Sequence, residues 1–380
     1  MKVHLWTSGV FQHKGGIQKY SEDILRVLTE EESPAENVKV FIKNDRGPAK
    51  QCFSGKRMKV IATGKYPPGI RTFIFSLKLF CMGVVQRPGL IIVAHANFSP
   101  IAMALKKIFK IRYIVVLYGI EVWGALAKTT KKSISLSDRI VSISNFTQNK
   151  IIQQIGREAL KLEIIPPSFD ERRFTIRQKP LYLLERYLIP KDCHVILTVC
   201  RLAGEDRQKG YDEVIDVLSI VKKKTGKCKY IIAGDGPDRR RVEEVIRAKG
   251  LGDDVVLAGE VRDAELADHY NLCDLFVMPS GKEGFGIVYL EALACGKPVI
   301  ASCAGGATEA LAGGELGVLV ATGDKEELAG RICEILSGRS GHPYIYNREK
   351  LREKAIECFG YNVFRDKFLK IVREYAPVTG

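Results

Sequence analysis

LFVMPSGKEGFGIVYLEALACGKPVIA, residues 275–301, is the segment that decides the fold. Its first four residues are apolar and predict a strand, which the following Pro-Ser-Gly turn ends. Two glycines, Gly284 and Gly286, permit a close approach of the backbone before a run of helix-forming residues. Gly296 stops this helix and Pro298 prevents its restart, so a new strand follows. The segment therefore predicts a strand, a glycine-rich turn, a helix and a second strand.

The start of this helix is suited to a phosphate group, because its first N–H groups are unpaired and carry a partial positive charge. Glu283 precedes the turn, and Glu291 lies about one turn inside the helix. Two carboxylates placed in this way could hold the hydroxyls of a nucleotide sugar. An ordinary buried crossover with two solvated glutamates fits the spacing equally well. The predicted binding residues of this turn and helix are Gly284, Phe285, Gly286, Ile287 and Glu291.

The pattern Glu-Gly-Phe-Gly, four further residues and Glu-Ala, followed by Gly-Lys-Pro-Val-Ile-Ala, resembles the donor-site signature of the family 4 retaining glycosyltransferases. This resemblance implies the GT-B fold, in which two Rossmann-like, doubly wound parallel-sheet α/β domains face a cleft. The alternation of predicted strands and helices along the chain favours the same fold class. We predict an N-terminal acceptor-binding domain over 1–178, a C-terminal donor-binding domain over 190–358, and a terminal helix over 359–380 that packs back on the first domain.

Two cations follow the first predicted strand of the second domain. Arg201 and Lys209 lie on the loop after the apolar run 194–199, at the carboxyl end of a parallel strand, where ligands bind in such folds. Two basic residues on a loop are unremarkable by themselves. The resemblance implies that they neutralise the departing diphosphate, so Arg201, Lys209 and Glu283 are the predicted catalytic residues.

A second glycine-rich turn, Gly15-Gly16, follows the first strand of the chain and feeds a predicted helix. The resemblance places this loop beside the donor phosphates and the acceptor. Members of the family usually carry a His-Gly pair where this chain has Tyr118-Gly119. The sequence leaves open whether Tyr118 or a histidine, His95 or His13, takes that role. His95, Tyr118 and Glu121 are the candidate sugar or acceptor contacts.

The charge of the chain is concentrated in its first half. Residues 1–180 hold 30 Lys and Arg against 13 Asp and Glu, and residues 43–132 hold 17 against 2. A one-sided basic field favours an anionic partner: an anionic lipid surface, a pyrophosphate-linked acceptor or nucleic acid. A basic proteome would give the same bias. A predicted basic helix over 100–111 is typical either of a membrane surface or of a solvated face.

We find no signal-peptide pattern at the N-terminus and no apolar run of bilayer-spanning length, and we expect the apolar helix over 70–85 to lie in the core. The ten cysteines are scattered singly, which is typical of reduced thiols in a cytosol. The expected location is therefore cytoplasmic, with peripheral contact at the inner face of the cell membrane.

The combined prediction is a metal-independent, retaining glycosyltransferase without a cofactor, since the chain has no Asp-x-Asp motif. It would move a hexose-type sugar from a UDP- or GDP-linked donor to a glycan or lipid-linked acceptor in polysaccharide or glycolipid biosynthesis. The first glycine-rich turn lacks the Gly-x-Gly-x-x-Gly pattern of a nicotinamide oxidoreductase. A non-catalytic basic protein that binds nucleotides or nucleic acid remains the alternative, although the chain has no recognised nucleic-acid module, and we expect no nucleic-acid partner.

Overall fold

The computed structural model describes residues 1–12, 15–47, 57–156 and 161–377. The chain divides into two compact units, and the first of them is discontinuous in sequence. It combines Met1–Ser168 with Tyr361–Gly380, whereas the second unit is the continuous segment Phe169–Gly360. The roles assigned to the two predicted domains, acceptor binding and donor binding, stay predictions.

Within the described residues, the first unit contains a parallel sheet of seven strands in the order β3-β2-β1-β4-β5-β6-β7. Its central strands are buried on both faces and consist almost entirely of apolar residues, as expected for a parallel sheet covered by helices. The strands are Lys2–Thr7 (β1), Asn37–Ile42 (β2), Arg57–Ala62 (β3), Leu90–Ala94 (β4), Arg112–Leu117 (β5), Arg139–Ser142 (β6) and Leu162–Ile164 (β7).

The described helices of the first unit connect these strands and supply the outer layers of the core. A buried cluster joins the sheet residues Trp6, Ile91 and Val115 to the helix residues Phe75 and Leu105. The helices are Gly16–Thr29 (α1), Pro68–Gln86 (α2), Ser99–Phe109 (α3), Lys128–Ser135 (α4) and Asn145–Ile155 (α5).

The described part of the second unit contains six parallel strands in the order β10-β9-β8-β11-β12-β13. They are His194–Val199 (β8), Cys228–Ala233 (β9), Val255–Gly259 (β10), Leu275–Met278 (β11), Val299–Ser302 (β12) and Val318–Val320 (β13). The accompanying helices are Leu181–Arg186 (α6), Tyr211–Thr225 (α7), Arg239–Ala248 (α8), Asp263–Leu272 (α9), Ile287–Ala294 (α10), Ala307–Ala310 (α11), Lys325–Leu336 (α12) and Arg348–Phe359 (α13). The prediction of two parallel-sheet α/β domains is confirmed.

The last described helix, Tyr361–Arg373 (α14), packs on α1 of the first unit, as predicted. Its apolar stripe is buried, and the ring of Phe364 meets the ring of Tyr20 edge-on at 5.0 Å between centroids. At the start of α14 the hydroxyl of Tyr361 donates to Glu30 at 2.7 Å, and the Arg26 guanidinium lies 3.7 Å from the same ring. The terminal helix therefore completes the core of the first unit.

Helix α2 differs from two expectations that were drawn from the sequence. The sequence predicted that 70–85 is a core helix, but only Phe75, Leu79 and Gly83 are buried in it. By length and composition α2 is also a helix that could span a membrane, with a mean hydropathy of 1.4 and 17% of that stretch buried. It connects β3 to β4, and its other face is exposed although it is apolar.

We predict that Phe364→Ala lowers the free energy of unfolding by about 3–5 kcal/mol, because it removes a buried aromatic ring and leaves a cavity between α14 and α1. Denaturant unfolding followed by circular dichroism measures this change. Lys367→Ala, an exposed position on the same helix, is the matched control and should change stability little. Equal stabilities of the two variants would contradict the packing of α14 described above.

Candidate functional site

The carboxyl edge of the second sheet contains a topological switch point. Strand β8 lies between β9 and β11, so the chain leaves β8 toward one side of the sheet and later returns on the other. The loops that follow β8 and β11 therefore open at the same edge, where a ligand site forms in open α/β sheets. The first loop carries Arg201 and Lys209, and the second carries Glu283.

The structure brings two of the predicted catalytic residues into direct contact. The Lys209 Nζ donates to Glu283 Oε2 at 2.6 Å, and the two side chains are 20% and 14% exposed. The pair thus joins the loop after β8 to the loop after β11. Its partial burial makes this ion pair less screened than one on the open surface.

The loop that carries Lys209 packs against the turn after β11. Gly210 follows it with a φ of 84°, and a β-carbon there would lie 2.6 Å from Pro279. The Gly281 N–H donates to the carbonyl of Gln208 at 2.7 Å. These contacts fix the backbone of the loop against the turn after β11, so Lys209 reaches Glu283 from a fixed position.

A buried carboxylate, Asp238, anchors the same loop through residues that flank Lys209 in sequence. It accepts hydrogen bonds from Arg241, from Arg207 at 2.9 Å and from the hydroxyl of Tyr211 at 2.9 Å. Arg241 first, and then Arg207, hold the pKa of Asp238 well below its usual range. Because Arg207 and Tyr211 flank Lys209 in sequence, Asp238 acts on Lys209 as a positioning residue.

The loops after β8 and β9 meet backbone to backbone, and glycine alone fits there. A β-carbon on Gly234 would lie 1.8 Å from the Cys200 carbonyl oxygen, and one on Gly236 would lie 2.0 Å from the Leu202 carbonyl oxygen. Both glycines have positive φ, 141° and 157°. Arg201 lies between these two contacts and its side chain is exposed at the edge of the sheet.

The Glu283 loop rests on a second glycine pair that the sequence analysis did not assign to the site. The Gly306 N–H donates to the Glu283 carbonyl at 2.8 Å. A β-carbon on Gly305 would lie 2.6 Å from that carbonyl oxygen, and one on Gly306 would lie 2.1 Å from the Gly284 oxygen. The Gly-Gly pair three residues after the end of β12 is the signal in the sequence for this contact.

The glycine-rich turn ends where the sequence predicted, at the start of α10. Gly286 precedes the helix with a φ of 95°, in the left-handed region, and a β-carbon there would lie 2.3 Å from the Tyr289 ring. Phe285 is buried, and the turn therefore presents backbone rather than side chains near Ile287. Unpaired N–H groups at such a helix start favour an anion.

Glu291 lies inside α10 and is oriented by a buried tyrosine. The Tyr270 hydroxyl donates to Glu291 Oε2 at 2.7 Å. Tyr270 lies on α9 and no motif marked it, because an aromatic residue in a core helix gives no functional signal by itself. Glu283 thus lies before the turn and Glu291 in the helix that follows it, and their role as a sugar-binding pair stays a prediction.

Lys297, in the Gly-Lys-Pro sequence, has a structural role and holds the end of α9. Its ammonium group is buried and donates to the carbonyls of Asn271 at 2.9 Å and Cys273 at 2.8 Å, at the end of α9. Burial lowers the pKa of Lys297. A cation is stabilised by the carbonyls at the carboxyl end of a helix, so this lysine fixes α9 and, with it, Tyr270.

In the first unit, the loop after β1 is tied by Asp45, whose Oδ2 accepts from the N–H groups of Val10 at 3.0 Å and Phe11 at 2.7 Å. Helix α1 begins at Gly16, and Gly15 precedes it, as predicted. His13 lies outside the described residues. The Gly15-Gly16 turn thus follows the first strand at the carboxyl edge of its own sheet.

His95 directly follows β4 and is half-buried. Its Nδ1 accepts from the Asn97 N–H at 3.3 Å. Burial, and next the charge of Lys43, lower the pKa of His95, which favours a neutral ring. Strand β4 neighbours β1 at the switch point of the first sheet, so His95 stands where a ligand contact is expected.

Tyr118, in contrast, faces the interior. Its hydroxyl lies 3.2 Å from Ser21 Oγ, and its ring meets Tyr20 edge-on at 5.4 Å between centroids. Glu121 Oε1 accepts from the Tyr118 N–H at 2.9 Å, whereas its buried Oε2 has no hydrogen-bond partner within the described structure. Of the three candidate contacts, His95 is the one that follows a strand bordering the switch point, and the assignments themselves stay predictions.

Comparison with known proteins finds a family match within the second unit. Residues 183–357, somewhat less than half of the chain, match the family model for glycosyl transferases group 1. A mannosyltransferase of Mycobacterium tuberculosis, described as GDP-mannose-dependent alpha-(1-6)-phosphatidylinositol monomannoside mannosyltransferase, is 30% identical over 242 residues. That match covers 60% of this chain and 61% of the mycobacterial protein. Mannosylfructose-phosphate synthase of Agrobacterium fabrum is 29% identical over 50% of this chain and 43% of its own length.

Solved structures match the fold over nearly the whole chain. HepE of Anabaena, solved in complex with UDP and glucose, has a TM-score of 0.78 and 19% identity, and the match covers 98% of this chain and 100% of HepE. A glycosyltransferase of Rickettsia africae has a TM-score of 0.78 and 18% identity, covering 100% of this chain and 99% of its own. The fold is therefore GT-B, as the sequence predicted.

We predict that Glu121→Gln changes the pH dependence of stability. Burial raises the pKa of Glu121 to about 7, so the folded state holds this proton more tightly than the unfolded chain does. The stabilisation is complete below the unfolded pKa and is lost as the pH rises through about 7. Relative to the variant, the wild type should lose up to about 3 kcal/mol between about pH 4.5 and pH 8.

Urea unfolding at several pH values measures this difference. The glutamine keeps an oxygen acceptor for the Tyr118 N–H, and all other titrating groups are common to both proteins. Stability curves that run parallel over the whole range would show that Glu121 does not hold its proton in the folded state.

Proposed function

We propose that this chain, which has the GT-B fold and whose residues 183–357 match the family model for glycosyl transferases group 1, is a retaining glycosyltransferase. It would move a hexose-type sugar from a nucleotide-diphosphate-sugar to a glycan or lipid-linked acceptor. The observation that carries the proposal is the contact between Lys209 and Glu283 at the switch point, directly before a helix start that suits a phosphate.

The donor would bind at the edge of the second sheet. The turn formed by Gly284, Phe285 and Gly286 offers backbone N–H groups at the start of α10, beginning with Ile287, to the diphosphate. Glu291, held by Tyr270, would accept hydrogen bonds from the ribose hydroxyls. Glu283 would accept them from the transferred sugar.

The chemistry we propose depends on the leaving group. Negative charge builds up on the diphosphate as its bond to the sugar breaks, and Arg201 and Lys209 would stabilise this charge electrostatically. Lys209 is kept oriented by Glu283 and by the loop that Asp238 anchors. The proposal needs neither a metal ion nor a dedicated nucleophile. Within the described residues, no group of three or more His, Cys, Asp or Glu side chains has the arrangement of a metal site.

The proposal leaves open whether the nucleoside of the donor is uridine or guanosine. The mycobacterial relative is described as GDP-mannose-dependent, whereas the Anabaena structure contains UDP. In the first unit, the Gly15-Gly16 turn would lie beside the donor phosphates and the acceptor. His95, Tyr118 and Glu121 are the proposed sugar or acceptor contacts. The basic first half supports a cytoplasmic location with peripheral contact to an anionic membrane.

We predict that one nucleotide class, UDP- or GDP-linked, raises the thermal unfolding midpoint in the presence of a metal chelator. A ligand at about 100 times its Kd stabilises the folded state by about 2.7 kcal/mol, which is readily measured in a thermal-shift screen. The screen includes UDP, GDP, their glucose and mannose conjugates, NAD and a DNA oligonucleotide. A shift with NAD or DNA and none with a sugar nucleotide would overturn the proposal.

We predict that Lys209→Ala lowers kcat by about 10²–10³-fold, because it removes one of the charges that stabilise the leaving group. Donor turnover, followed by release of the nucleoside diphosphate, is the measurement. Lys223→Ala, an exposed lysine on α7, is the matched control and should keep the wild-type rate. A folded Lys209→Ala protein that turns over at the wild-type rate would refute the assignment of Lys209.

A further inference from the structure

Helix α2 has an exposed stripe of large apolar side chains. Ile70, Phe73 and Leu77 are 52%, 71% and 51% exposed, and Phe80 continues the same stripe one turn later at 36%. Their spacing of three and four residues places them on one face of the helix. Scattered exposed apolar residues are common on protein surfaces, but a continuous stripe of this length is typical of an interaction surface.

The opposite face of α2 fixes the helix on the sheet of the first unit. Phe75 and Leu79 belong to the buried core cluster. Gly83 packs against α3 so closely that a β-carbon would lie 2.3 Å from a methyl carbon of Leu105. The helix, which connects β3 to β4 in the chain, is thus fixed on the sheet. Its apolar stripe faces outward as part of the folded unit.

Basic side chains lie at both ends of the stripe. Just before α2, the Tyr66 ring is approached by Lys65 at 5.3 Å and by Lys78, from the middle of the helix, at 5.9 Å. Arg71, in the first turns of α2, donates to the Tyr66 carbonyl at 3.0 Å. At its end, Arg87 lies 5.4 Å from the ring of Phe109 on α3. An apolar face flanked by cations is the pattern of a helix that lies in the interface of an anionic membrane.

We propose that α2 docks the first unit onto an anionic phospholipid surface, with the stripe Ile70, Phe73, Leu77 and Phe80 inserted among the acyl chains and the flanking cations on the headgroups. The inference rests on the peripheral location proposed above and names its contact element. The helix would lie parallel to the bilayer, because its buried face holds it on the sheet.

Charge favours a membrane over a second copy of this chain. The segment 43–132, which includes α2, holds 17 basic and only 2 acidic residues. Two such surfaces facing each other would bring like charges together, whereas anionic headgroups attract them by about 1 kcal/mol per cation. A two-fold interface of α2 against α2 is therefore disfavoured.

The neighbouring basic helix α3 supports the edge of this surface and does not form its centre. The Lys106 ammonium donates to Asp138 at 2.8 Å and to the Leu136 carbonyl at 3.0 Å, so it is engaged within the unit. Ile108 is exposed, as are Lys107 and Lys110. The membrane contact that the sequence analysis considered for 100–111 would accordingly extend the surface of α2.

The test is sedimentation of the full chain with vesicles of phosphatidylcholine alone or with about 30 mol% phosphatidylglycerol. We expect the wild type to sediment with the anionic vesicles and the double variant Phe73→Ser/Leu77→Ser to bind at least about tenfold more weakly, since it loses two exposed apolar groups. Ile220→Ser, a half-exposed apolar position on α7 of the second unit, is the matched control and should bind like the wild type.

A second pair of charge variants tests the electrostatic part. Lys65→Gln/Lys78→Gln should bind the anionic vesicles more weakly and lose much of its sensitivity to salt, because fewer charges are left to screen. Circular dichroism and thermal unfolding of each variant establish that the loss of binding is not a loss of folding.

The possible outcomes of these binding experiments can be told apart. Unchanged binding of folded Phe73→Ser/Leu77→Ser, or equal binding of the wild type to neutral and anionic vesicles, would overturn the inference. It would also be overturned if the wild type were a dimer by sedimentation velocity, the double variant were a monomer, and neither bound vesicles. The nucleotide thermal shift of the wild type needs no vesicle, so failure of the proposed transferase function would be seen independently.

Discussion

The site of the second unit depends on backbone-to-backbone contact between loops at the carboxyl edge of its sheet. Gly234 and Gly236 press against carbonyls of the loop after β8, and Gly305 and Gly306 press against carbonyls of the loop after β11. No residue with a side chain fits these four positions without moving a main chain. The two supported loops touch each other directly, because the Gly281 N–H donates to the Gln208 carbonyl at 2.7 Å and Gly210 packs against Pro279. An ion pair in turn ties both loops together across the switch point.

Other parts of the site could be predicted from the sequence because glycines, prolines and apolar runs act locally. The turn at Gly284 and Gly286, the start of α10 and the parallel order of the sheets all follow from short-range signals. Partners from distant elements gave no such signal. Tyr270 orients Glu291 from another helix, and Asp238 anchors the Lys209 loop through two arginines. Neither residue could be recognised before the fold had placed it.

The errors of prediction in the first unit have a different cause. Strand β3 lies at the edge of the sheet and alternates basic and apolar residues over 57–60 only, which is too short a pattern to predict a strand. Helix α2 is apolar over most of its surface, and hydrophobicity alone does not tell which face the sheet covers. The assignment of Tyr118 as a ligand contact stays a prediction, and the contacts of its side chain with Ser21 and Tyr20 lie in the interior. Whether a single side chain is buried depends on tertiary packing, which the local sequence pattern does not reveal.

Helix α14 belongs to the first unit although it is synthesised after the whole of the second. Its aromatic side chains fill a core whose remaining walls are made of residues 1–168. The second unit is continuous, so it has all of its own chain available while α14 has yet to leave the ribosome. During that interval the first unit exposes the apolar surface around Tyr20. The order of synthesis therefore makes the first half of the chain the last to become fully folded, and the half most in need of protection from aggregation.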